Sequence, residues 1–290
     1  MIYKAADILK KCEEKNCSIA ELTRQDEAAT ASISVEELDL KMKEILEIME
    51  TSSSLGLKEE IFSLSGMTGA SAKKLWDNRD QTSLSGEFIL SAMARALSTS
   101  EVNSSMGRIV AAPTAGASGI LPSALMSAKE KLSLGGEELI LGLYTAGAVG
   151  KIVAQSATIS GADGGCQAEC GTGAAMAAAA LVELMGGSPQ LAFHGASFAL
   201  IHIMGLVCDP IAGFVEFPCS LRNASGIVNA FISADLAMAG LSSPIPFDEV
   251  VDAMYQVGKM LPEALRETAL GGIAATPSAK ALEEKYLGKG

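Results

Sequence analysis

The N-terminal part of the chain carries hydrophobic residues at the spacing of amphipathic helices. Residues 2–14, IYKAADILKKCEE, place apolar side chains on one face of a helix. A second pattern starts at Ser34, three residues before Glu37, and predicts a capping box at a helix N-terminus. Apolar residues then recur at steps of three and four and predict one buried face: Leu38, Met42, Ile45, Leu46 and Met49.

The rest of the chain also shows helical rather than strand periodicity. The segment 247–268 predicts an amphipathic helix with a break at Pro262, since proline disrupts a helix interior. Three apolar segments separated by glycine, 137–157, 171–187 and 189–208, predict buried helices. Clear period-two alternation is absent, so strands are not predicted. We therefore expect an all-α fold: a compact bundle of buried helices rich in small residues, with amphipathic N- and C-terminal helices.

Charge is distributed unevenly along the chain. The net charge is −12, and residues 102–245 carry only 14 of the 56 charged residues, so we expect the middle to be buried between solvated ends. No basic stripe exists that would favour nucleic acid as a partner. The N-terminal sequence MIYKAADILKKCEEKN has no signal-peptide h-region, which indicates a cytoplasmic location where cysteines stay reduced.

A membrane span is the main alternative for one apolar stretch. Residues 184–208 contain no Asp, Glu, Lys or Arg and are long enough to cross a bilayer. The sequence GGSP at 186–189 interrupts this stretch, and His194 and His202 lie within it. We therefore favour a buried core helix and expect no membrane partner. The same reasoning predicts that both histidines are buried, hydrogen-bonded core residues.

Four of the six cysteines lie in the weakly charged middle of the chain. Cys166 and Cys170 are four positions apart, and Cys208 and Cys219 follow in CDPIAGFVEFPC. This spacing is not that of a C-x2-C zinc knuckle. Two interpretations stay open from these residues: inert buried thiols, or ligands of an iron–sulfur cluster. Four ligands would saturate such a cluster, whereas three would leave one iron open as a Lewis acid.

Several longer blocks resemble the iron–sulfur-dependent L-serine dehydratases, in particular the α subunit of the two-subunit form. The resemblance implies one catalytic domain spanning 1–290, with 1–60 as a helical N-terminal arm. It also implies one [4Fe–4S] cluster per chain, no pyridoxal phosphate, and conversion of L-serine to pyruvate and ammonia. The blocks that carry the resemblance are GRIVAAPTAGASGILP, ISGADGGCQAEC, AAMAAAALVELMGG, GLVCDPIAGFVEFPCSLRNA and ETALGGIAATPS.

The cluster ligands implied by the resemblance are Cys166, Cys208 and Cys219. Cys170 occupies a position where this family usually has an aliphatic residue, so we expect it not to be a ligand. Three ligands would leave an iron open for the serine hydroxyl. The chain ends EKYLGKG, without the terminal cysteine that caps this iron in single-chain relatives.

Candidate substrate-binding residues lie in two loops and after Cys219. The loop PTAGASG is expected to bind the serine carboxylate through backbone N–H groups at a helix start, although a plain helix entry would have the same pattern. Arg222 needs a partner in so uncharged a region, and Asp209, Glu216, Asp163 and Glu169 are the candidates. The substrate-binding candidates are Thr114, Ala115, Gly116, Ser118, Thr68, Gly69, Arg222 and Asn223.

The proton-abstracting base is not identified in this chain. The resemblance implies a β subunit that supplies a loop with Ser and His to the active site, so this chain alone is expected to be inactive. Alternatives are a pyridoxal-phosphate lyase using Lys151, an L-cysteine desulfidase-type lyase, or a non-catalytic helical membrane or scaffold subunit. Iron analysis and a comparison of serine with cysteine as substrates distinguish them.

Overall fold

The computed structural model of the chain describes residues 3–288, and their architecture confirms the all-α prediction. Within this range the only extended pairings are two isolated bridges, Phe62 with Gly69 and Cys208 with Arg266. The α-helices in chain order are α1 Ala5–Lys15, α2 Ile19–Ala31, α3 Val35–Lys58, α4 Ser71–Asp77, α5 Gly86–Ser104, α6 Ile120–Leu132, α7 Gly136–Ser156, α8 Gly161–Gly164, α9 Thr172–Leu184, α10 Pro189–His202, α11 Cys219–Met238, α12 Phe247–Met260 and α13 Pro277–Leu287.

The centre of the bundle is α9, which packs against α6, α7, α10 and α11. Its sequence TGAAMAAAALVEL is rich in alanine, which has the highest helix propensity. Residues 172–182 are all buried. Small residues on neighbouring helices allow this close packing: a Cβ atom at Gly150 would lie 3.0 Å from Met176 Sδ, and one at Gly195 would lie 3.3 Å from Val182 Cγ2.

The N-terminal helices form as predicted, but one cap differs. Residues 2–14 predict a helix that is observed as α1, with residue 2 outside the described range. The Ser34 side chain accepts the Glu37 N–H at 3.1 Å, which is half of the predicted capping box. The Glu37 carboxylate instead contacts Lys41 Nζ at 3.1 Å, because an i,i+4 lysine competes with the backbone.

Two predicted helices are shorter in the structure. The segment 189–208 is helical only to His202, and its last residues form the loop that leads to Cys208. The segment 247–268 breaks after Met260, as Pro262 predicts, and continues only as a short 3-10 turn at Glu263–Leu265. The residues that follow the first helix form backbone hydrogen bonds with the residues that follow the second, as described below for the site.

The uncharged stretch 184–208 is not one continuous helix. It contains the end of α9, a turn with Gly186 at φ 83°, and α10. Among the described residues, one helix, α7, is long and apolar enough to cross a membrane. That helix is mostly buried against α2 and α9, which is the environment of a core helix.

Candidate metal centre and active site

Three separate segments bring buried thiols together beside α9. Cys166 precedes a π-helical turn, Gln167–Gly171, that leads into α9. Cys208 lies in the loop after α10, and Cys219 is the first residue of α11. All three side chains are at most 5% exposed. Cys208 and Cys219 both lie more than forty residues after Cys166 in the sequence. The fold therefore brings distant parts of the chain together at the thiols.

Cys166, Glu169 and Cys208 form the closest group of metal-ligating side chains. One ligand atom from each lies within 4.8 Å of the others, and Cys208 Sγ is 3.8 Å from Glu169 Oε2. Cys219 lies outside this group. The 4.8 Å group is close enough to hold a single metal ion. The inclusion of Cys219 in the ligand set stays a prediction.

Cys170 is buried beside the group, with its Sγ 3.6 Å from Cys166 Sγ. One turn of the π-helical segment separates the two residues, so both side chains lie on the same face. Cys170 also packs in the apolar core, as expected for a small hydrophobic residue. Its exclusion from the ligand set stays a prediction.

Glycines provide the space in which these side chains meet. A Cβ atom at Gly161 would lie 2.9 Å from Cys208 Sγ and 2.6 Å from Glu169 Oε2. Gly165 has φ 77°, in the left-handed region, and a Cβ there would lie 2.8 Å from the Leu206 carbonyl oxygen. The glycine turn before Cys166 is therefore required both by its backbone conformation and by the volume of the thiol site.

Arg222 is the cationic residue of the site, and Asp209 is its partner. Arg222 Nη2 donates to Asp209 Oδ1 at 2.6 Å, and the Ile273 N–H donates to Asp209 Oδ2 at 2.6 Å. Asp209 is one of the four partners that the sequence offers. The Nη1 atom of Arg222 is buried and has no hydrogen-bond partner in the protein. An unpaired buried guanidinium N–H is costly. Burial disfavours the charge of Arg222, but the Cys166 thiolate outweighs this effect and raises the pKa of Arg222, so the guanidinium faces an anionic group of the site.

Residues 263–276, which we name the C-terminal strap, hold the Cys208 loop in place. The Cys208 N–H donates to the Leu265 carbonyl at 2.9 Å, and the Glu267 N–H donates to the Cys208 carbonyl at 2.7 Å. Glu267 and Ala269 have φ of 63° and 56°. Such left-handed backbone in non-glycine residues costs about 1–3 kcal/mol each and persists where surrounding contacts determine it. The strap thus orients the backbone that carries one thiol.

The Gln167 side chain connects the π-helical turn to its surroundings. Its Nε2 donates to the carbonyls of Gly164 at 2.9 Å and Met254 at 3.0 Å, and its Oε1 accepts the Gly205 N–H at 2.8 Å. These bonds join the glycine turn, α12 and the start of the Cys208 loop. Gln167 is therefore a structural residue of the site that the sequence does not single out.

The electrostatics of the site favour one thiolate and suppress further negative charge. Hydrogen bonds from Cys170 and Cys208 hold the pKa of Cys166 well below its usual range, and the Arg222 guanidinium contributes. The Cys166 thiol in turn raises the pKa of Cys208 through its hydrogen bond, together with burial. Burial, followed by the charge of Cys166, raises the pKa of Cys219 and brings that of Glu169 to about 7.

This donor set fits a cationic, thiophilic metal group. Four buried thiols and the Glu169 carboxylate lie close together, and burial makes further negative charge at Cys219 and Glu169 unfavourable. A metal centre binds thiolates and stabilises their deprotonated form. Soft sulfur ligands select zinc, copper(I) or iron–sulfur centres. Cys166, Glu169 and Cys208 are therefore a group that could hold a thiophilic metal.

The loop 113–119 forms the predicted helix entry beside the thiols. Thr114 Oγ1 donates to Glu169 Oε1 at 2.9 Å, and Ala115–Ala117 form a 3-10 turn before α6. The Ser118 hydroxyl donates to the Ala115 carbonyl at 2.8 Å and is fully buried. Thr114 therefore contacts the site directly, whereas Ser118 stabilises the turn.

Asn223 joins this loop to α11. Its Nδ2 donates to the carbonyls of Gly116 at 2.6 Å and Cys219 at 2.9 Å, and its Oδ1 accepts the Gly119 N–H at 2.8 Å. The side-chain amide is thus engaged with backbone groups on both sides. This arrangement fixes Cys219 relative to the loop 113–119.

Thr68 and Gly69 line a separate cavity of about 240 Å³ next to the start of α11. Thr68 Oγ1 donates to Glu216 Oε2 at 3.1 Å. Gly69 has φ 151°, and a Cβ there would lie 2.6 Å from the Ile61 carbonyl oxygen. Glu101 also lines the cavity, with its Oε1 accepting the Ser71 N–H at 2.6 Å. Through Glu216, this loop contacts the segment that leads into Cys219 and α11.

The histidines differ from the prediction of buried core residues. His202 is exposed at the end of α10, with Nδ1 2.8 Å from Asn229 Oδ1. His194 is half-buried and its Nδ1 accepts the Ser243 N–H at 3.2 Å. Both are hydrogen-bonded, as expected, but His202 is exposed to solvent because it is the last residue of α10.

Lys151, the lysine that a pyridoxal-phosphate lyase would use, forms an ion pair with Glu27 of α2 at 2.6 Å.

Three parts of the site have roles that the sequence does not predict: Glu169, for which the sequence predicts only a pairing with Arg222, Gln167, and the strap. Glu169 and Gln167 lie within CQAEC, and the strap contains most of the block ETALGGIAATPS. Assigning a role to these residues requires knowing that the strap returns to Cys208, which no local pattern encodes.

Comparisons with known proteins give consistent results. Residues 14–274 match the sequence model of the family described as "Serine dehydratase alpha chain". The "L-serine dehydratase, alpha chain" of Peptoniphilus asaccharolyticus is 45% identical over 100% of both chains. The "Probable L-serine dehydratase, alpha chain" of Bacillus subtilis is 46% identical over 99% of this chain and 96% of its own. "L-serine dehydratase 2" of Escherichia coli is 35% identical over 93% of this chain and 60% of its own.

Proposed function

The chain belongs to the serine dehydratase alpha chain family, and we propose that it deaminates L-serine to pyruvate and ammonia. The observation that carries this proposal is the buried group of Cys166, Glu169 and Cys208 beside the unpaired Nη1 of Arg222. Such a group fits a metal centre and not merely a packed core. A cytoplasmic location is proposed with it, because free thiols persist in a reducing compartment.

The proposed metal centre is one [4Fe–4S] cluster held by Cys166, Cys208 and Cys219. Three protein ligands would leave one coordination position free, and an iron in this state supplies Lewis acidity toward the serine β-hydroxyl. Cys170 is proposed to remain a buried thiol. The glycine turn at 161–165 supports the proposal, because it leaves room for sulfur ligands that any larger residue would fill.

The chain's own residues would then bind and orient the amino acid. Glu169 is the carboxylate nearest the thiols, and Thr114 holds it. We assign Glu169 to the α-ammonium group of serine. The 3-10 turn that precedes α6, with Ala115 and Gly116, is assigned to the carboxylate, since backbone N–H groups at a helix start favour anions. Arg222 stabilises negative charge at the thiols.

The remaining substrate-binding candidates fall into two roles in this proposal. Ser118 and Asn223 position the loop 113–119 through the hydrogen bonds described above. Thr68 and Gly69 shape the neighbouring cavity and hold Glu216. We expect substitutions at Ser118 or Asn223 to change stability together with activity, because both side chains are buried within the fold.

The proton-abstracting base is proposed to come from a β subunit. Exposed apolar side chains lie on the strap, on α11 and on loops near them in the chain, and we propose that they form a rim that a partner chain covers. The rim residues are Leu64, Met106, Phe214, Leu221, Leu270 and Ile273. The names of the relatives that contain "alpha chain" support the existence of such a partner.

The proposal is tested by anaerobic reconstitution of the chain with iron and sulfide, followed by assay of pyruvate from L-serine. We expect turnover only when the β subunit is present. Leu270→Lys on the rim should weaken β-subunit binding, whereas Leu40→Lys, at a comparably exposed position on α3 (70% and 64%), should not. Full turnover by this chain alone would refute the proposal that a β subunit supplies the base. A reconstituted complex that forms no pyruvate would refute the function.

A further inference from the structure

The two remaining cysteines, Cys12 and Cys17, lie at the opposite end of α10 from the thiol site. Both line a surface groove of about 680 Å³ that also includes Ser188, Pro189 and Gln190 at the start of α10. The Cys208 loop follows the other end of this 14-residue helix, which is roughly 20 Å long. The pair is therefore independent of the proposed metal centre.

The end of α1 brings these two residues together. Asn16 has left-handed φ and ψ of 50° and 52°, its N–H donates to the Glu13 carbonyl at 3.3 Å, and the Cys17 N–H donates to the Cys12 carbonyl at 3.1 Å. This is the Schellman motif, in which the side chains corresponding to Cys12 and Cys17 approach each other. The two thiols are within hydrogen-bonding distance of each other, and a disulfide requires residues whose Cα atoms are about 4.4–6.8 Å apart.

The two thiols differ in accessibility. Cys12 is 3% exposed, whereas Cys17 is partly exposed at the groove. Burial, and then the neighbouring Cys17 thiol, raise the pKa of Cys12 to about 12. A soluble reagent thus reaches Cys17 first, and Cys12 is held beside it as a second thiol that solvent does not reach directly.

We propose that Cys12 and Cys17 are a modification site, a thiol pair that a small-molecule disulfide such as oxidised glutathione converts to an intrachain disulfide. The Cys17 thiolate attacks one sulfur of the reagent, the reagent's S–S bond breaks, and the leaving thiolate takes a proton from water. The Cys12 thiol then attacks Cys17 Sγ, and its proton passes to the departing small thiolate, which leaves as the second small thiol. Two protein thiols are oxidised, and one disulfide is reduced to two thiols.

Lys15, between the two cysteines, allows the disulfide to be detected by tryptic digestion. Trypsin cleaves after Lys11, Lys15 and Arg24, so Cys12 and Cys17 fall in separate peptides, 12–15 and 16–24. After anaerobic treatment of the reconstituted protein with oxidised glutathione and alkylation of free thiols, we expect the two peptides to be recovered joined. Reduction with dithiothreitol should separate them. The absorption spectrum of the metal centre, recorded before digestion, shows whether the other thiols are involved.

Two variants make the test decisive. Cys12→Ser should retain glutathione on Cys17, because no thiol remains to displace it, whereas Cys17→Ser should form no adduct at Cys12. Thermal unfolding of both variants verifies that the fold is kept. The proposal is overturned if the peptides of the wild-type protein are recovered separately and alkylated. It is equally overturned if glutathione stays on Cys17 in the wild-type protein as in Cys12→Ser.

Discussion

Helix α9 and the loop that carries Cys208 are both buried, but different interactions hold them. Residues 172–182 of α9 are surrounded by apolar side chains of four neighbouring helices. Cys208 is held by two backbone hydrogen bonds to the strap, and Asp209 by Arg222 and the Ile273 N–H. The helical core is therefore stabilised by apolar packing, whereas the geometry of the thiol site is determined by hydrogen bonds between segments that are distant in the sequence.

The largest loss of stability is expected from breaking the buried ion pair between Asp209 and Arg222. Asp209→Ala would leave the Arg222 guanidinium buried without its partner, and breaking such a pair costs about 3–5 kcal/mol of unfolding free energy. Urea denaturation measures the loss. Asp209→Asn keeps an acceptor for the Ile273 N–H and should lose less. Equal stability of the alanine variant and the wild-type protein would show that this pair does not hold the loop.

A core substitution should reduce stability without changing the site. Ile152 on α7 is fully buried, and Ile152→Ala should cost about 2–5 kcal/mol through lost apolar contacts and the resulting cavity. Ile152→Val is the matched control, at about 0.5–1.5 kcal/mol. Below the unfolding temperature, both variants should incorporate the same amount of iron as the wild-type protein. Reduced iron in Ile152→Ala would mean that core and site are not separable.

One glycine of the strap, Gly272, and one that follows α11, Gly240, separate the effect of backbone strain from that of steric overlap. Gly272 and Gly240 have φ of 61° and 89°, but a Cβ at Gly272 would overlap the Asp209 carboxylate, whereas one at Gly240 would meet open space. Gly240→Ala should cost about 1–2 kcal/mol for the left-handed backbone alone. Gly272→Ala should cost more and should also lower iron incorporation. Equal stability and equal iron incorporation in the two variants would show that the strap does not hold the thiol site in place.

The smallest effects are expected at the exposed N-terminus of α3. Ser34→Ala removes the hydrogen bond to the Glu37 N–H and should cost about 1 kcal/mol. Glu37→Ala removes only an exposed contact with Lys41 and should change stability by at most about 0.5 kcal/mol. Thermal unfolding of the two variants measures the difference. A larger loss for Glu37→Ala would indicate that the capping box is complete in solution.

The helical core follows from the sequence because its signals are local. The period of apolar residues and the glycine punctuation predict α1, α3, α7 and α9, and Pro262 predicts the end of α12. The helix predicted at 189–208 is too long because Gln167 and the strap pair with residues 205–208. These partners lie far away in the sequence, so no local pattern reports them.

The thiol site was predictable in part. Cys166, Cys208 and Cys219 are recognisable from their glycine and proline contexts and from the family resemblance. The role of Glu169 depends on Thr114, which is 55 residues earlier, and the Arg222 partner is one of four candidates until the fold selects Asp209. His202 was predicted to be buried and is exposed, because α10 ends at this residue.

The central claim is that three of the four clustered cysteines bind the metal centre. It is tested most directly by anaerobic reconstitution of Cys166→Ala, Cys170→Ala, Cys208→Ala and Cys219→Ala, with iron and sulfide content and absorption spectra measured for each. We expect Cys170→Ala to retain the iron–sulfur spectrum of the wild-type protein and the other three variants to lose it. Loss of the cluster in Cys170→Ala, or its retention in Cys219→Ala, would show that the ligand set is different.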